Sequence, residues 1–274
     1  MVREFVFTRV LPALGRAYAH HVQPVAAVLE LDRPLRVAYD RVTTAVLPST
    51  ITLTINGVAT SFRVSNRFEY SHFTGYRSQP DYAVLCDLLD HLDPGDVFWD
   101  VGANVGIYTA FAATEAGAVV AIEPHPKNAA RLRENLALNG REAEVRRVAL
   151  STTTGTTRLA LNSPDVTGAF GSTADLGTDR TIEVPQRRGD ELVADTPGRP
   201  TVLKVDVQGS EASVLQGLAR ALDACRHVYC NVYEKHHDTP DERWAVREGL
   251  QARGFDVRRI QQWSGGHFLR ADAP

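Results

Sequence analysis

The chain has 274 residues, of which 43% are hydrophobic and 23% are charged, and its formal net charge is −3. This composition is ordinary for a globular protein of one large domain with additions, and it gives no electrostatic case for a nucleic-acid partner. No uncharged apolar run approaches the ~20 residues of a transmembrane helix. No signal-peptide pattern is present and the three cysteines form no Cys-x-x-Cys pair, so a reduced, cytoplasmic protein is expected.

Residues 1–48 are predicted to form a helical arm. Apolar side chains recur at helical spacing at Phe7, Leu11, Leu14 and Tyr18, and arginines lie between them. Two interpretations stay open. Either the arm packs on the core or on a second copy of the chain in a homo-oligomer, or it lies on a membrane surface as an amphipathic helix.

Residues 49–79 are predicted to form a β-hairpin followed by a loop. Apolar residues alternate with threonines over residues 50–55, and Asn56-Gly57 is a type I′ turn signal. The hairpin is expected to act as a small lid or a flanking sheet. Residues 66–79 carry aromatic and charged side chains without clear periodicity, so we expect a loop that lines a substrate cleft or packs its aromatic residues on the core.

Residues 80–274 read as alternating strands and helices, which predicts an α/β domain with a mostly parallel sheet. Its first helix is expected to be capped by Ser78 and to end before Pro94. Its strands are predicted at Val97–Trp99, Ala118–Ile122, Val145–Leu150, Thr156–Leu161, Thr181–Pro185, Val202–Asp206, His227–Tyr233, Phe255–Ile260 and Gly266–Arg270. The last two are expected to form an antiparallel pair at the sheet edge.

A strand, a glycine turn and a helix follow one another in the first half of this region. The apolar strand runs into Asp100, two glycines stand four residues apart at Gly102 and Gly106, and helix-forming residues follow. Such a turn lets a ligand approach the backbone and aims the first helical amides at it. Asn104 and Ile107 stand where the dinucleotide fingerprint needs glycines, which disfavours a nicotinamide oxidoreductase.

The pattern Asp-x-Gly-x-x-x-Gly resembles motif I of class I S-adenosylmethionine-dependent methyltransferases. Glu123 ends the second strand, where a carboxylate can accept both hydroxyls of a ribose. The resemblance implies a Rossmann-like, seven-stranded sheet with helices on both faces, a methionine part cradled by Gly102–Gly106, and Asp100 facing its ammonium group directly or through water. The further cofactor contacts that it implies are Ala103, Asn104, Thr109, Pro124, Val148, Ala149 and Asp206.

Two segments, Gly95–Gly106 and Leu203–Glu211, are similar to the FkbM family of these methyltransferases. The family usually shows Lys-x-Asp-x-Glu-Gly-x-Glu in the second segment, and here Gln208 replaces the glutamate before the glycine. Glutamine keeps the shape and the hydrogen bonding but cannot act as a base or a strong metal ligand. The resemblance implies O-methylation of a small molecule or of a carbohydrate-like hydroxyl.

The candidate catalytic residues are titratable side chains at the carboxyl ends of the later strands. Asp206 is the first choice as base, substrate orienter or metal ligand, unless it only caps the following helix. Glu234 and His236 are the other candidates. A divalent metal held by Asp206 with either Glu234 or His236 is possible but not favoured, because Gln208 removes a carboxylate from the same region.

Other readings of the same residues stay open. Lys204 lies in an apolar strand and needs a carboxylate partner, for which Glu211 is the candidate. Such a partner would give Lys204 the role of a structural ion pair rather than that of a catalytic amine. A non-catalytic, cofactor-binding scaffold subunit is an alternative function that Gln208 supports. A methyltransferase directed at nitrogen or at a carboxyl group is another alternative.

Overall fold

The computed structural model describes residues 47–162, 167–168, 171–174, 178–233 and 240–274. Of the predicted helical arm, residues 1–46 lie outside the described ranges. Among the residues described, we find no helix with the length and apolar character that a bilayer crossing requires.

The described residues form strands, α-helices and three short 3₁₀ turns. The strands are β1 Thr50–Ile55, β2 Val58–Arg63, β3 Val97–Val101, β4 Ala118–Ile122, β5 Glu144–Arg146, β6 Ala149–Ser151, β7 Gly155–Leu161, β8 Gly171–Ser172, β9 Thr181–Arg188, β10 Val202–Val205, β11 His227–Tyr233, β12 Asp256–Trp263 and β13 Gly266–Asp272. The helices are α1 Arg67–Gly75, α2 Pro80–Asp90, α3 Ile107–Ala112, α4 Pro126–Leu138, α5 Gly189–Leu192, α6 Glu211–Gly217 and α7 Pro240–Gln251. The 3₁₀ turns are Tyr76–Ser78, Val193–Asp195 and Leu222–Ala224.

Seven strands form the central sheet in the order β12-β13-β11-β10-β3-β4-β5. β10 is parallel to β11 and β3, and β3, β4 and β5 continue the parallel run, whereas β13 is antiparallel to both of its neighbours. The predicted mostly parallel sheet and its antiparallel edge pair are confirmed. The chain leaves β3 in one direction and returns to β10 on the other side, so a crevice opens between the carboxyl ends of these two strands.

Both faces of the central sheet are covered, which explains why its strands read as continuous apolar runs. Successive residues of β3 point to opposite faces, and Phe98 and Trp99 are both fully buried in different hydrophobic clusters. The Phe98 cluster includes the hairpin and residues of α2, α3 and α4. The Trp99 cluster includes residues of α6 and α7. The prediction of helices on both faces is therefore confirmed.

The hairpin of β1 and β2 is a flanking sheet that packs on the core. Asn56 and Gly57 have φ angles of 48° and 82°, as the predicted type I′ turn requires. The edge of β2 that β1 leaves unpaired is bound by Asn135 of α4 and by Asn139, the C-cap of this helix, because their side-chain oxygens each accept a backbone N–H of β2 at 2.8 Å. The hairpin thus forms part of the wall of the domain rather than a detached lid.

The prediction of a loop over residues 66–79 is wrong, because most of this segment is helical. The Asn66 side chain caps α1 by accepting the backbone N–H of Glu69 at 2.9 Å. Glu69, Phe73 and Tyr76 are buried, and their spacing of four and three residues is that of one helical face. The buried glutamate interrupts the apolar pattern. It is accommodated by Arg131, whose Nη1 lies 2.6 Å from the Glu69 carboxylate.

The single strand predicted over residues 145–150 is also wrong. The chain instead forms β5 in the central sheet and β6 in a second, four-stranded sheet of order β6-β9-β7-β8. The backbone leaves one sheet between Arg146 and Ala149 and enters the other. The first residue of α2 is Pro80 and its N-cap is Gln79 rather than the predicted Ser78, which belongs to the preceding 3₁₀ turn.

Helix α2 runs along the central sheet from the carboxyl ends of its strands toward their amino ends. Its first turn reaches the carboxyl ends of the strands, and its last turn lies near the amino end of β11. There the Asp87 carboxylate lies 3.0 Å from Arg270 of β13 and accepts the Tyr229 hydroxyl of β11 at 2.8 Å. Arg270 also contacts Asp272 at 2.7 Å. These contacts hold the helix against the sheet.

Candidate active site

A cavity of about 470 Å³ lies at the carboxyl ends of β3, β4 and β10. This is the crevice that the strand order predicts, and its volume is in the usual range for a small-molecule site. One part of its wall comes from the ends of the central strands, namely Val101–Val105, Ile122–Pro124, Asp206–Gln208, Asn231 and Tyr233, and Val148–Leu150 at the start of β6 in the second sheet add to it. Another part comes from flanking elements: His72, Tyr76, Gln79–Asp81 and Trp263–Gly265.

The turn after β3 is built on two glycines in the left-handed region. Gly102 has a φ of 80°, and a Cβ there would lie 1.9 Å from the backbone oxygen of Asp206. Gly106 has a φ of 86°, and a Cβ there would lie 2.7 Å from Leu132 of α4. The backbone N–H of Gly102 donates to Ile122 O at 2.9 Å, which binds the turn to the end of β4. Both glycines are therefore required by geometry.

Glu123 lies beside this turn and lines the cavity. One carboxylate oxygen accepts the backbone N–H of Asn104 at 2.8 Å, and the other accepts that of His125 at 2.9 Å. Only 6% of the residue is exposed, and burial raises the pKa of Glu123 to about 7 despite these two hydrogen bonds. The carboxylate is thus held in a fixed orientation with acceptor capacity left for a ligand.

Asp100 and Thr109 lie beneath the cavity and not in the wall that the described residues form. The Thr109 hydroxyl donates to the Asp100 carboxylate at 2.7 Å, and Lys204 Nζ lies 3.0 Å from its other oxygen. Both Asp100 and Thr109 are fully buried. The Thr109 hydroxyl and the Asp100 carboxylate are thus engaged with each other and with Lys204 beneath the turn, and their contact with a cofactor, directly or through water, stays a prediction.

Lys204 pairs with Asp100 and not with Glu211, so the predicted ion pair is wrong. The Glu211 carboxylate instead accepts the backbone N–H of Gly209 at 2.9 Å. Lys204 also donates to Gly102 O at 3.0 Å. Burial opposes its charge, but the nearby carboxylates of Asp100 and Asp206 outweigh burial and raise the pKa of Lys204.

Asp206 follows β10 and is held by side chains from the end of β11. Its Oδ1 accepts the Tyr233 hydroxyl at 2.9 Å and the Asn231 amide at 3.4 Å. Trp263 packs edge-to-face on Tyr233 at 5.2 Å and donates to Asn231 at 3.4 Å. Burial raises the pKa of Asp206, whereas Lys204 and the Tyr233 hydroxyl act in the opposite direction. The result is an oriented carboxylate in the same cavity as Glu123.

A family model described as the methyltransferase FkbM domain matches residues 100–264. The chain belongs to the FkbM methyltransferase family. The hexuronic acid methyltransferase AglP of Haloferax volcanii is 31% identical over 192 residues, which cover 69% of this chain and 77% of that protein.

Two solved structures of methyltransferases resemble the chain at low identity. The FkbM methyltransferase from Methylobacillus flagellatus KT is 18% identical, and its TM-score is 0.48. The match covers 74% of this chain and 53% of that chain. An rRNA methylase from Streptococcus thermophilus is 14% identical, and its TM-score is 0.48. The match covers 71% of this chain and 96% of that chain.

The departure from the usual FkbM motif, Gln208, has a defined place in the Asp206 network. Its side-chain amide donates to the Tyr233 hydroxyl oxygen, and that hydroxyl in turn donates to Asp206. Gln208 has a φ of 63°, an uncommon conformation for a residue other than glycine, and its backbone oxygen accepts the Ser172 hydroxyl at 2.8 Å. An amide at this position can donate where a carboxylate could not, so it directs the tyrosine proton toward Asp206.

One wall of the cavity comes from residues that precede the part matched by the FkbM model. His72, Tyr76 and Asp81 belong to α1, the 3₁₀ turn and the first turn of α2. Burial lowers the pKa of His72 to about 4, so this imidazole is neutral at pH 7. Together with Trp263, His72 and Tyr76 offer aromatic and neutral surface of the kind that packs on small organic ligands, and Asp81 adds a carboxyl group.

The structure brings together most of the predicted cofactor residues. Those that line the cavity are Gly102, Ala103, Asn104, Glu123, Pro124, Val148, Ala149 and Asp206. Gly106 shapes the turn through its close approach to α4 and is not itself part of the wall that the described residues form. Glu234 and His236 lie outside the described residues. In the described ranges, no group of three His, Cys, Asp or Glu side chains is arranged to hold a metal ion.

Sequence reasoning missed Tyr233, Asn231 and Asp81 as cavity residues. The first two end a predicted parallel strand, and since the carboxyl ends of parallel strands share one edge of the sheet, this position was a usable signal. Asp81 carried no such signal. It was predicted only as an acid in the first turn of a helix, and only the packing of α2 across the sheet places it in the cavity.

Proposed function

We propose that this protein transfers a methyl group from S-adenosylmethionine to a hydroxyl group of a sugar or sugar-like acceptor. The observation that carries the proposal is that Glu123, the glycine turn and Asp206 line one cavity. A cofactor site and an oriented proton acceptor are thereby contiguous. Membership of the FkbM family supports methyl transfer, and the hexuronic acid named for the relative AglP supports a carbohydrate acceptor.

The residues near the ends of β3 and β4 fit this cofactor. Glu123 has the acceptor capacity for ribose hydroxyls, and the glycine turn exposes backbone close to the cavity. Asn104 Oδ1 is buried and has no donor in the described part of the chain, which suits the ammonium group of the methionine part. Val148 and Ala149 supply apolar surface for the adenine. When bound, the cofactor supplies a methyl group on a positively charged sulfur.

The chain itself must orient the acceptor, exclude water and take one proton. We assign the proton to Asp206, because it lines the cavity and is oriented by Tyr233 and Asn231. Lys204 and the Tyr233 hydroxyl stabilise its ionised form. Glu234 and His236 follow β11 in the sequence and are further candidates for contact with the acceptor.

The test is binding followed by turnover. Calorimetry is expected to show that the wild type binds S-adenosylmethionine and that Glu123→Ala binds it about 10- to 100-fold more weakly, the cost of lost hydrogen bonds to a charged group. Glu115→Ala, the same change at an exposed position outside the cavity, is the matched control. Incubation with a panel of neutral and acidic glycosides is expected to give a product heavier by one methylene group. Binding without any product from such a panel would favour the scaffold alternative.

A further inference from the structure

A second carboxylate faces the cavity from the side opposite the central strands. Asp81 lies in the first turn of α2 and lines the same cavity as Asp206. Helix α2 is held at its other end by the contacts of Asp87 with Arg270 and Tyr229, so the position of its first turn is fixed relative to the sheet. The backbone oxygen of Asp81 also accepts the Tyr108 hydroxyl of α3 at 3.1 Å.

The charges of the two aspartates interact. Burial and the charge of Asp206 raise the pKa of Asp81 to about 7, and Lys204 acts in the opposite direction. The titratable groups that face Asp81 from α3, β10, β11 and the 3₁₀ turn are Tyr108, Lys204, Asp206, Tyr233 and Tyr76. Lys204 is the positively charged member of this group, and it is already engaged by Asp100. Two carboxylates that share a site hold one proton more readily than either would alone.

We propose that Asp81 and Asp206 together form the proton-accepting pair of the acceptor site, and that this pair selects a hydroxyl rather than a carboxylate as the group that is methylated. This inference rests on the proposed function. In the step, the acceptor oxygen forms a bond to the methyl carbon as the carbon–sulfur bond breaks, and the bonding electrons stay on sulfur. The hydroxyl proton passes to the aspartate pair, which afterwards releases it to water.

The selection follows from charge. A hydroxyl acceptor must lose a proton, and a pair of carboxylates offers a place for it. A carboxylate acceptor has no proton to lose and would place its own negative charge against that of the aspartate pair, which disfavours binding. The expected product is therefore a methyl ether and not a methyl ester, even if the acceptor is an acidic sugar that carries its carboxylate elsewhere.

The pairing itself is tested without cofactor or acceptor. In the protein labelled with ¹³C at the aspartate side-chain carboxyl, one signal assigned to Asp81 is expected to titrate near pH 7. Asp206→Asn is expected to move that titration to lower pH by one unit or more. Asp179→Asn, the same change at an exposed position outside the cavity, is expected to leave it in place. An Asp81 signal that Asp206→Asn leaves unmoved would overturn the pairing.

Stability provides a second measurement of the same pair. Because the pKa of Asp81 is raised in the folded state, the folded protein loses stability as the pH rises from about 4 through 7. Asp81→Asn removes this cost and is expected to raise the melting temperature at pH 8 by roughly 2 to 4 °C more than at pH 5. Equal shifts at the two pH values would contradict a charged, buried Asp81.

The chemical outcome is tested on the product and on the rate. Alkali hydrolyses a methyl ester and leaves a methyl ether intact, so the product from a uronic acid glycoside is expected to survive alkali. In Asp81→Asn, kcat/KM is expected to fall about tenfold at pH 8, and its acidic limb is expected to move to lower pH, since Asp206 alone is the weaker base. An alkali-labile product would overturn the selection while leaving methyl transfer intact. Failure of the wild type to bind the cofactor would instead refute the proposed function and would not affect the titrations.

Discussion

Lys204 and Asp100 occupy paired positions on the adjacent parallel strands β10 and β3, with Nζ 3.0 Å from Oδ1. Their side chains point to the same face of the sheet, directly under the glycine turn. Lys204 Nζ also donates to Gly102 O at 3.0 Å and lies 5.1 Å from the centre of the Tyr108 ring. One buried ion pair thus fixes the turn that lines the cofactor half of the cavity.

Removal of one partner of this pair is expected to destabilise the protein strongly. Lys204→Met leaves the Asp100 charge buried without its cation, and we expect a loss of about 3 to 5 kcal/mol in the free energy of unfolding. Unfolding in denaturant measures this loss of free energy. The double variant Lys204→Met with Asp100→Leu removes both charges, and is expected to regain at least half of the loss. A double variant as unstable as the single one would show that the pair is not the cause.

Cofactor affinity is expected to depend on pH through Glu123. Its pKa of about 7 lies above the ordinary value, so at pH 6 most molecules carry the protonated form. Ribose hydroxyls donate best to the ionised carboxylate, so affinity rises as the pH rises through 7. Calorimetry between pH 6 and pH 8 is expected to show about a tenfold gain, as one titrating group with this pKa gives. Glu123→Gln cannot titrate and is expected to lose this component of the dependence. An unchanged pH profile in that variant would place the titrating group elsewhere.

The glycine turn is expected to tolerate no side chain at Gly102. An alanine Cβ would lie 1.9 Å from Asp206 O, and the φ of 80° is itself unfavourable for alanine. Gly57→Ala is a matched control, because Gly57 has a φ of 82° and nothing within 4 Å of the added Cβ. It is expected to cost about 1 to 2 kcal/mol in urea unfolding, while Gly102→Ala costs clearly more and abolishes cofactor binding. Equal losses would mean that backbone strain alone explains both.

The hydrogen-bond chain from Gln208 through Tyr233 to Asp206 is expected to set the acidic limb of the activity profile. Tyr233→Phe removes a donor that stabilises the ionised Asp206, so its pKa rises and the limb of kcat/KM moves to higher pH. Gln208→Glu places an acceptor against the tyrosine hydroxyl and is expected to move the limb in the same direction. Steady-state kinetics from pH 5 to pH 9 measure both shifts. A uniform loss of rate with an unmoved limb would indicate a packing role only.

Local chemistry and periodicity made part of the fold predictable. The strand, glycine turn and helix around Gly102, the Asn56-Gly57 hairpin and the antiparallel edge pair are all encoded over short stretches of chain. The segment after Asn66 was predicted as a loop, because a buried glutamate stands where an apolar residue would have completed the helical face. Its partner, Arg131, lies 62 residues away along the chain.

The parts of the site that could not be predicted depend on which elements are neighbours in space. The partner of Lys204 is Asp100 because β10 lies beside β3, a fact of strand order that one sequence does not state. Glu211 was the nearer carboxylate along the chain and proved to be a cap for backbone N–H groups. Asp81 enters the cavity only through the packing of α2 across the sheet.

The close approach of Gly102 to the Asp206 carbonyl has a consequence for how the binding of one ligand affects the binding of the other. No spare room separates the turn that would receive the nucleoside from the backbone that carries the proton-accepting carboxylate. A displacement of the turn when one ligand enters is therefore transmitted to the other ligand's binding surface. The two binding steps should be energetically linked, so that saturation with one compound changes the dissociation constant of the other.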